Sequence, residues 1–120
     1  MRRPADNSRA ESQGGMSMTK LSVNPGVCGL TCVITAEEND DSEVVLSAES
    51  ACPAVKKMME ALEQPLDPYE VCFGKPGTGA VYEAAENLAH AACPIPSAIL
   101  KCIEAEGGLA LPKSVSFDFE

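Results

Sequence analysis

The side chains of this 120-residue chain best suited to chemistry are six cysteines and a single histidine. "NPGVCGLTC" (24–32) carries Cys28 and Cys32, four residues apart. Cys52 in "SACPAV" (50–55) and Cys93 in "HAACPIPSAILK" (90–101) are each followed directly by proline. Thiolates bind soft metals and attack electrophiles. A cysteine at a helix N-terminus meets unpaired backbone N–H groups and the positive end of the helix dipole, which favour its thiolate. Four thiolates in one place suit tetrahedral zinc or an iron–sulfur cluster. Cys28, Cys32, Cys52 and Cys93 are therefore the candidate metal ligands, and Cys93 is also the candidate catalytic nucleophile. His90 is a substitute ligand or a neighbour that tunes Cys93; the plainer reading is an ordinary histidine at the negative end of a helix. Cys102 shares an apolar stripe with Ile99 and Ile103, and Cys72 adjoins Phe73. Both read as packing, since free cysteine behaves as a small buried hydrophobe.

Whether the four thiols meet depends on the elements that carry them. "KLSV" (20–23) is a short strand broken by "NPG". "LTCVITAE" (30–37) and "SEVVLSAES" (42–50) read as an antiparallel hairpin about "NDDS". With 39–42 as the loop, Glu38 faces Glu43, and paired residue numbers sum to about 81. Cys32 then faces Glu49 and Gly29 faces Cys52, so Cys28, Cys32 and Cys52 gather at the open end of the hairpin. Residues four apart on a straight strand are ~13 Å apart. Metal–thiolate bonds of about 2.3 Å forbid sharing an ion across that gap. Cys28 must therefore sit in a bent loop, which Pro25, Gly26 and Gly29 suit. Cys93 joins the other three only if its helix starts at the same end of the sheet.

Helical spacing begins at "ACPAVKKMMEALEQ" (51–64), where Val55, Met58, Met59 and Leu62 fall at i, i+3, i+4, i+7. Pro53 suits the first helical turn. Residues 65–79 read as loop with one helical turn at 67–72. A second helix is expected over 80–92, with Val81, Ala84, Ala85 and Leu88 inward. A third is expected over 94–106, with Ala98, Ile99, Cys102 and Ile103 on one face and Gly107–Gly108 ending it. "SVSFDFE" (114–120) alternates as a half-buried strand would, with Val115, Phe117 and Phe119 on one side. The order β-β-β-α-α-α-β predicts an α+β domain over 20–120, a small antiparallel sheet covered on one face by three helices. Residues 1–19 are polar and aperiodic and read as a disordered extension. Met16 and Met18 stand just before the ordered part, and either would suit as the true start.

Hydrophobic residues make up 45% and aromatics 4%, without tryptophan, so the core must be aliphatic. Net charge is −9, and all three arginines lie in the first nine residues. From Lys20 onward six lysines face sixteen acids, the eighteen of the chain less Asp6 and Glu11. Such a surface repels phosphate backbones and anionic lipid, which argues against nucleic acid and membrane partners; a protein partner is left open. No apolar run reaches membrane-spanning length, and the basic start lacks the apolar stretch of a secretory signal. The cytoplasm is the expected compartment, and there clustered thiols read as metal-binding or catalytic before they read as disulfides. Dinucleotide, P-loop, zincin and hydrolase-elbow motifs are missing, and "GKPGTG" (74–79) lacks the phosphate-loop spacing.

Two resemblances rest on these residues. "CPIPSAILK" resembles the CPxP motif of the TusA-like sulfur-carrier family, which implies a persulfide-accepting role for Cys93. "NPGVCGLTC", "CPIPSAILK" and "GLALPKSVSF" together resemble the signature of an uncharacterised family of proteins about 100 residues long from anaerobic bacteria and archaea. That resemblance spans nearly the whole of 20–119 and implies an oxygen-poor habitat, where iron–sulfur or persulfide chemistry is favoured over disulfides. Three functions follow as expectations. One is a metal or iron–sulfur protein using Cys28, Cys32, Cys52 and Cys93. Another is a sulfur-carrier or thiol-redox protein in which Cys93 is the nucleophile and Cys52 or Cys28 resolves. The third is a structural or interaction domain whose thiols are packing. Whether the protein is an enzyme stays open.

Overall fold

A computed structural model describes residues 18–120. Three strands, β1 (Met18–Val23), β2 (Cys32–Glu38) and β3 (Val44–Ser50), form an antiparallel sheet in that order. Four helices follow: α1 (Pro53–Ala61), α2 (Pro68–Cys72), α3 (Ala80–Ala84) and α4 (Ile95–Glu106), with a 3-10 turn, Ala85–Asn87, continuing α3. The expected α+β class, an antiparallel sheet with helices, holds.

The period-2 pattern decides which face is covered. Cys32, Ile34 and Ala36 of β2 and Val44 and Leu46 of β3 are buried. Val33, Thr35, Val45 and Ser47 between them are half-buried or exposed. One face of the sheet thus carries the core and the other meets water. α1 lies over β3 and α4 over β1 and β2, while α2 and α3 pack on α4. Of the helical stripes read from spacing, Val55, Met58, Leu62, Val81, Ala84, Ile99, Cys102 and Ile103 are buried, and Met59, Ala85, Leu88 and Ala98 are half-buried against the same core. Each fully buried aliphatic side chain contributes roughly 1.5–3 kcal/mol of transfer free energy.

Four local expectations change. First, the hairpin register moves by one residue: Cys32 faces Ser50, and Val33 faces Glu49. The loop has five residues, because Asn39 Oδ1 accepts from the N–H groups of Asp41 (2.9 Å) and Glu43 (3.0 Å) and Ser42 takes a left-handed φ of 62°. The expected register would have turned Val45, Ser47 and Glu49 into the core, and a one-residue slip exchanges the two faces. Second, the helix expected over 51–64 is shorter, running Pro53–Ala61 with Cys52 as its N-cap. Third, the helix expected over 80–92 ends at Leu88, whose ψ is 151°. Ala89, His90, Ala91 and Ala92 are exposed, so continuing it would bury nothing. Fourth, residues 114–120 form no strand and stay exposed. Of the extension expected over 1–19, residues 1–17 lie outside the described residues, and Met18 and Thr19 already belong to β1.

Candidate thiol site

The loop from β1 to β2, residues 24–31, is drawn into a tight turn. The Gly29 N–H donates to the Gly26 carbonyl (3.0 Å) and the Gly26 N–H to Asn24 Oδ1 (3.1 Å). Gly26 and Gly29 have φ of 93° and 70°, backbone that side chains rarely adopt. Cys28 sits between them and is exposed. The loop delivers the chain to Cys32, the first residue of β2, which is 1% exposed. Cys32 is paired with Val23 on one side and Ser50 on the other.

Two residues beyond Ser50, Cys52 caps α1. Its N–H donates to Ser50 Oγ (3.1 Å), its carbonyl accepts from the Lys56 N–H (3.2 Å), and its thiol makes no capping hydrogen bond. Pro53 at the next position lacks a donor where none is needed.

The direction of α4 decides where Cys93 lies. Its last residue, Glu106, accepts from Thr19 Oγ1 (2.7 Å) and from the Glu38 N–H (2.9 Å). The Cys102 thiol donates to the carbonyls of Thr19 (3.5 Å) and Ile34 (3.9 Å). The C-terminus of α4 is therefore fixed at the Glu38 end of β2. Twelve helical residues rise ~18 Å, close to the length of β2, so α4 begins at the Cys32 end. Cys93 stands two residues before that beginning, held by a turn in which its N–H donates to the His90 carbonyl (3.2 Å). Pro94 and Pro96 bracket the start of α4.

The structure therefore brings Cys32, Cys52 and Cys93 to one end of the domain. All three pack at the same core. Burial pushes the Cys32 thiol above its ordinary value, and Cys93 and then Cys52 push it further. That effect on Cys32 places Cys93 and Cys52 near its sulfur. Cys28 stands on the adjoining loop, exposed, and does not figure among the groups that perturb Cys32. His90 is exposed on the turn before Cys93. Among the described residues, no three or more His, Cys, Asp and Glu side chains stand ready as a metal site.

The other two thiols lie elsewhere. The Cys72 thiol donates to the Leu100 carbonyl at 3.9 Å; burial and then the Glu104 carboxylate push it up to about 11. Cys102 is wholly buried, and burial followed by Glu106 pushes it up to about 12, against a smaller opposing hydrogen bond from the Ala36 backbone. Two polar partners escaped the sequence reading. Ser50 was masked by the one-residue register error. Glu106, 6% exposed, looked like any other acid at a helix end.

Residues 19–119 match a family of unknown function, DUF6951. The chain belongs to that family. All four candidate cysteines, the sheet from Thr19 onward and α4 fall within the matched span. No curated protein and no solved structure matches the chain. No helix among the described residues is long and apolar enough to cross a membrane.

Proposed function

We propose that the protein binds a soft metal ion or an iron–sulfur cluster through Cys32, Cys52 and Cys93, with Cys28 closing the site from its loop. One observation carries the reading: three cysteines distant in the chain share one end of the domain. A soft cation would suit such a group, because it binds thiolates and offsets the charge that they bring together. Cys32 is anchored in the sheet and Cys52 and Cys93 at helix starts, so three ligands are positioned by packed elements. Cys28 sits on the adjoining glycine-flanked loop, exposed. Thiol ligands suit zinc and iron–sulfur clusters above hard cations. The cytoplasm, where thiols are kept reduced, is the compartment this function calls for.

A second reading is favoured by one contrast: Cys93 is half-buried where Cys32 is sealed. Cys93 is thus a member of the trio that a sulfur donor can reach. Its thiolate would attack the outer sulfur of a donor persulfide. A new S–S bond forms at Cys93, the donor's S–S bond breaks, and the donor leaves as a thiolate. Attack by Cys52 or Cys28 on the Cys93 sulfur would then release hydrosulfide and leave a disulfide.

Anaerobic purification of the untagged protein tests both readings, followed by a visible spectrum and analysis for iron, zinc and acid-labile sulfide. Iron with sulfide, or one zinc per chain, lost together in Cys32→Ser and Cys93→Ser variants, supports the metal reading. A colourless, metal-free protein that stays so after anaerobic reconstitution rejects it. In that case a mass increase of one sulfur on Cys93 after incubation with a persulfide donor supports the carrier reading, and an unmodified Cys93 rejects that too.

A further inference from the structure

The segment Ser114–Glu120 keeps the alternation of a buried strand and buries none of it. Val115, Phe117 and Phe119 are 57%, 86% and 105% exposed. Serines and acids alternate with them: Ser114, Ser116, Asp118 and Glu120. All three phenylalanines of the chain are exposed, Phe73 at 67% included, and two of them stand in this segment.

The sheet has an edge to match. The outer edge of β3 is closed over. Gln64 Oε1 accepts from the Leu46 N–H (2.6 Å) while its Nε2 donates to the Leu46 carbonyl (3.2 Å). Leu66 and Val44 exchange two backbone hydrogen bonds (2.8 and 2.9 Å). The outer edge of β1 is different: among the described residues no strand pairs with it. Leu21 and Val23, on its core side, are only half-buried, where Ile34 and Leu46 on the other two strands are buried. An open edge of this kind is a template for another strand.

Charge marks the same edge. A cleft of about 260 Å³ beside β1 is lined by Lys20, Lys101 and Lys113. Half of the six lysines from Lys20 onward therefore collect there, in a chain of net charge −9. With the tail's phenylalanines on the side of Leu21 and Val23, its acids fall on the opposite face, where Lys20 stands. The residues leading into it, Leu111 to Ser114, form one wall of the cleft, and Val115, Phe117 and Phe119 beyond them are exposed.

We propose that two copies of this chain exchange tails, residues 114–120 of each lying as a fourth strand along β1 of the other. The exchange is reciprocal, so a two-fold axis closes it. Each phenylalanine buries roughly 150–250 Å². With Val115, the edge it covers and the two-fold repeat, the total comes to about 1,800 Å², within the range of stable interfaces. This surface is independent of the thiol site, and its test reads neither metal nor sulfur.

The experiment is light-scattering mass across a concentration series of the full chain, up to about 100 µM, with hydrogen exchange on residues 114–120. The expected mass is twice the 12.6 kDa of one chain, with protected alternate amides in the tail. A Phe117→Asp/Phe119→Asp variant is expected to be monomeric with an unprotected tail. Its far-UV spectrum and unfolding midpoint as a monomer should stay normal, because neither ring contributes to the core. A wild-type chain that remains monomeric overturns the proposal, including one whose tail amides are protected, which would place the tail on its own β1. A dimer that survives the double variant overturns it as well.

Discussion

Replacing Glu106 by alanine would remove the clasp that sets the direction of α4. The carboxylate is 6% exposed and accepts from Thr19 Oγ1 at 2.7 Å and from the Glu38 N–H at 2.9 Å. Hydrogen bonds to a charged group contribute about 1.5–3 kcal/mol each, so the gross loss is about 3–6 kcal/mol. Two effects reduce it. Thr19 and Glu38 are half-buried and regain some contact with water. An acid at a helix C-terminus also opposes the dipole, and its removal returns about 0.3–1 kcal/mol. The net expectation is a loss of about 3 kcal/mol. For a domain of this size that is roughly a 15 °C fall in Tm. The assay is urea unfolding followed by far-UV circular dichroism, where the midpoint should fall at an unchanged slope. Glu106→Gln, which keeps an oxygen acceptor but not the charge, should lose about half as much. Thr19→Val combined with Glu106→Ala should be less harmful than the sum of the two single changes, because they share a bond. A Glu106→Ala variant within about 0.5 kcal/mol of the wild type would refute the argument, placing these bonds with exposed contacts that water replaces freely.

Three further outcomes are expected. Gly107→Ala should cost about 1–3 kcal/mol, because the added Cβ would lie 2.9 Å from Pro68 Cβ and 3.2 Å from the Ile103 carbonyl. Gly108→Ala faces open space and should cost only about 1 kcal/mol for its positive φ; comparing urea midpoints of the two checks the packing of α2 on α4. Stability should fall at alkaline pH: Cys72 and Cys102 are raised to about 11 and about 12, so the folded state keeps protons that the unfolded chain loses above its ordinary thiol value. This share of stability is complete below about pH 8.5 and is lost as pH rises through about 12, at up to about 1.4 kcal/mol per pH unit for Cys102; Cys102→Ala should flatten the midpoint-against-pH curve above pH 9. In the metal-free protein at neutral pH, iodoacetamide should label Cys28 first, Cys52 and Cys93 more slowly, and Cys32 and Cys102 only on unfolding; peptide mapping that finds Cys32 labelled as fast as Cys28 would contradict its burial.

Much of this domain was legible in the chain because its signals are local. The strand cores of 32–38 and 44–50 announce themselves by alternation. The apolar stripes at 55, 58 and 62 and at 99, 102 and 103 announce themselves by helical spacing. Gathering Cys28, Cys32 and Cys52 at one hairpin end needed only antiparallel pairing, and a register error of one residue did not move them. The same error did hide Ser50, because loop length was read from composition while the Asn39 side chain sets it. The helix expected over 80–92 failed for another reason. Its alanines favour helix, yet beyond Leu88 they offer no apolar stripe, and a helix without a buried face is not held.

By itself, the sequence determined the class of fold, the apolar stripes of its helices and the placing of each candidate thiol on a loop, at a strand start or before a helix. All of these follow from side-chain periodicity and from the backbone demands of proline and glycine, which act over a few residues. Tertiary structure alone decided two things. Cys93 lies with Cys32 and Cys52 because α4 is pinned at its far end by Glu106, across 87 residues to Thr19 and 68 to Glu38. The strand-like segment 114–120 remains unpaired because a strand exists only where another edge receives it, and alternation within one segment carries no information about where that edge is.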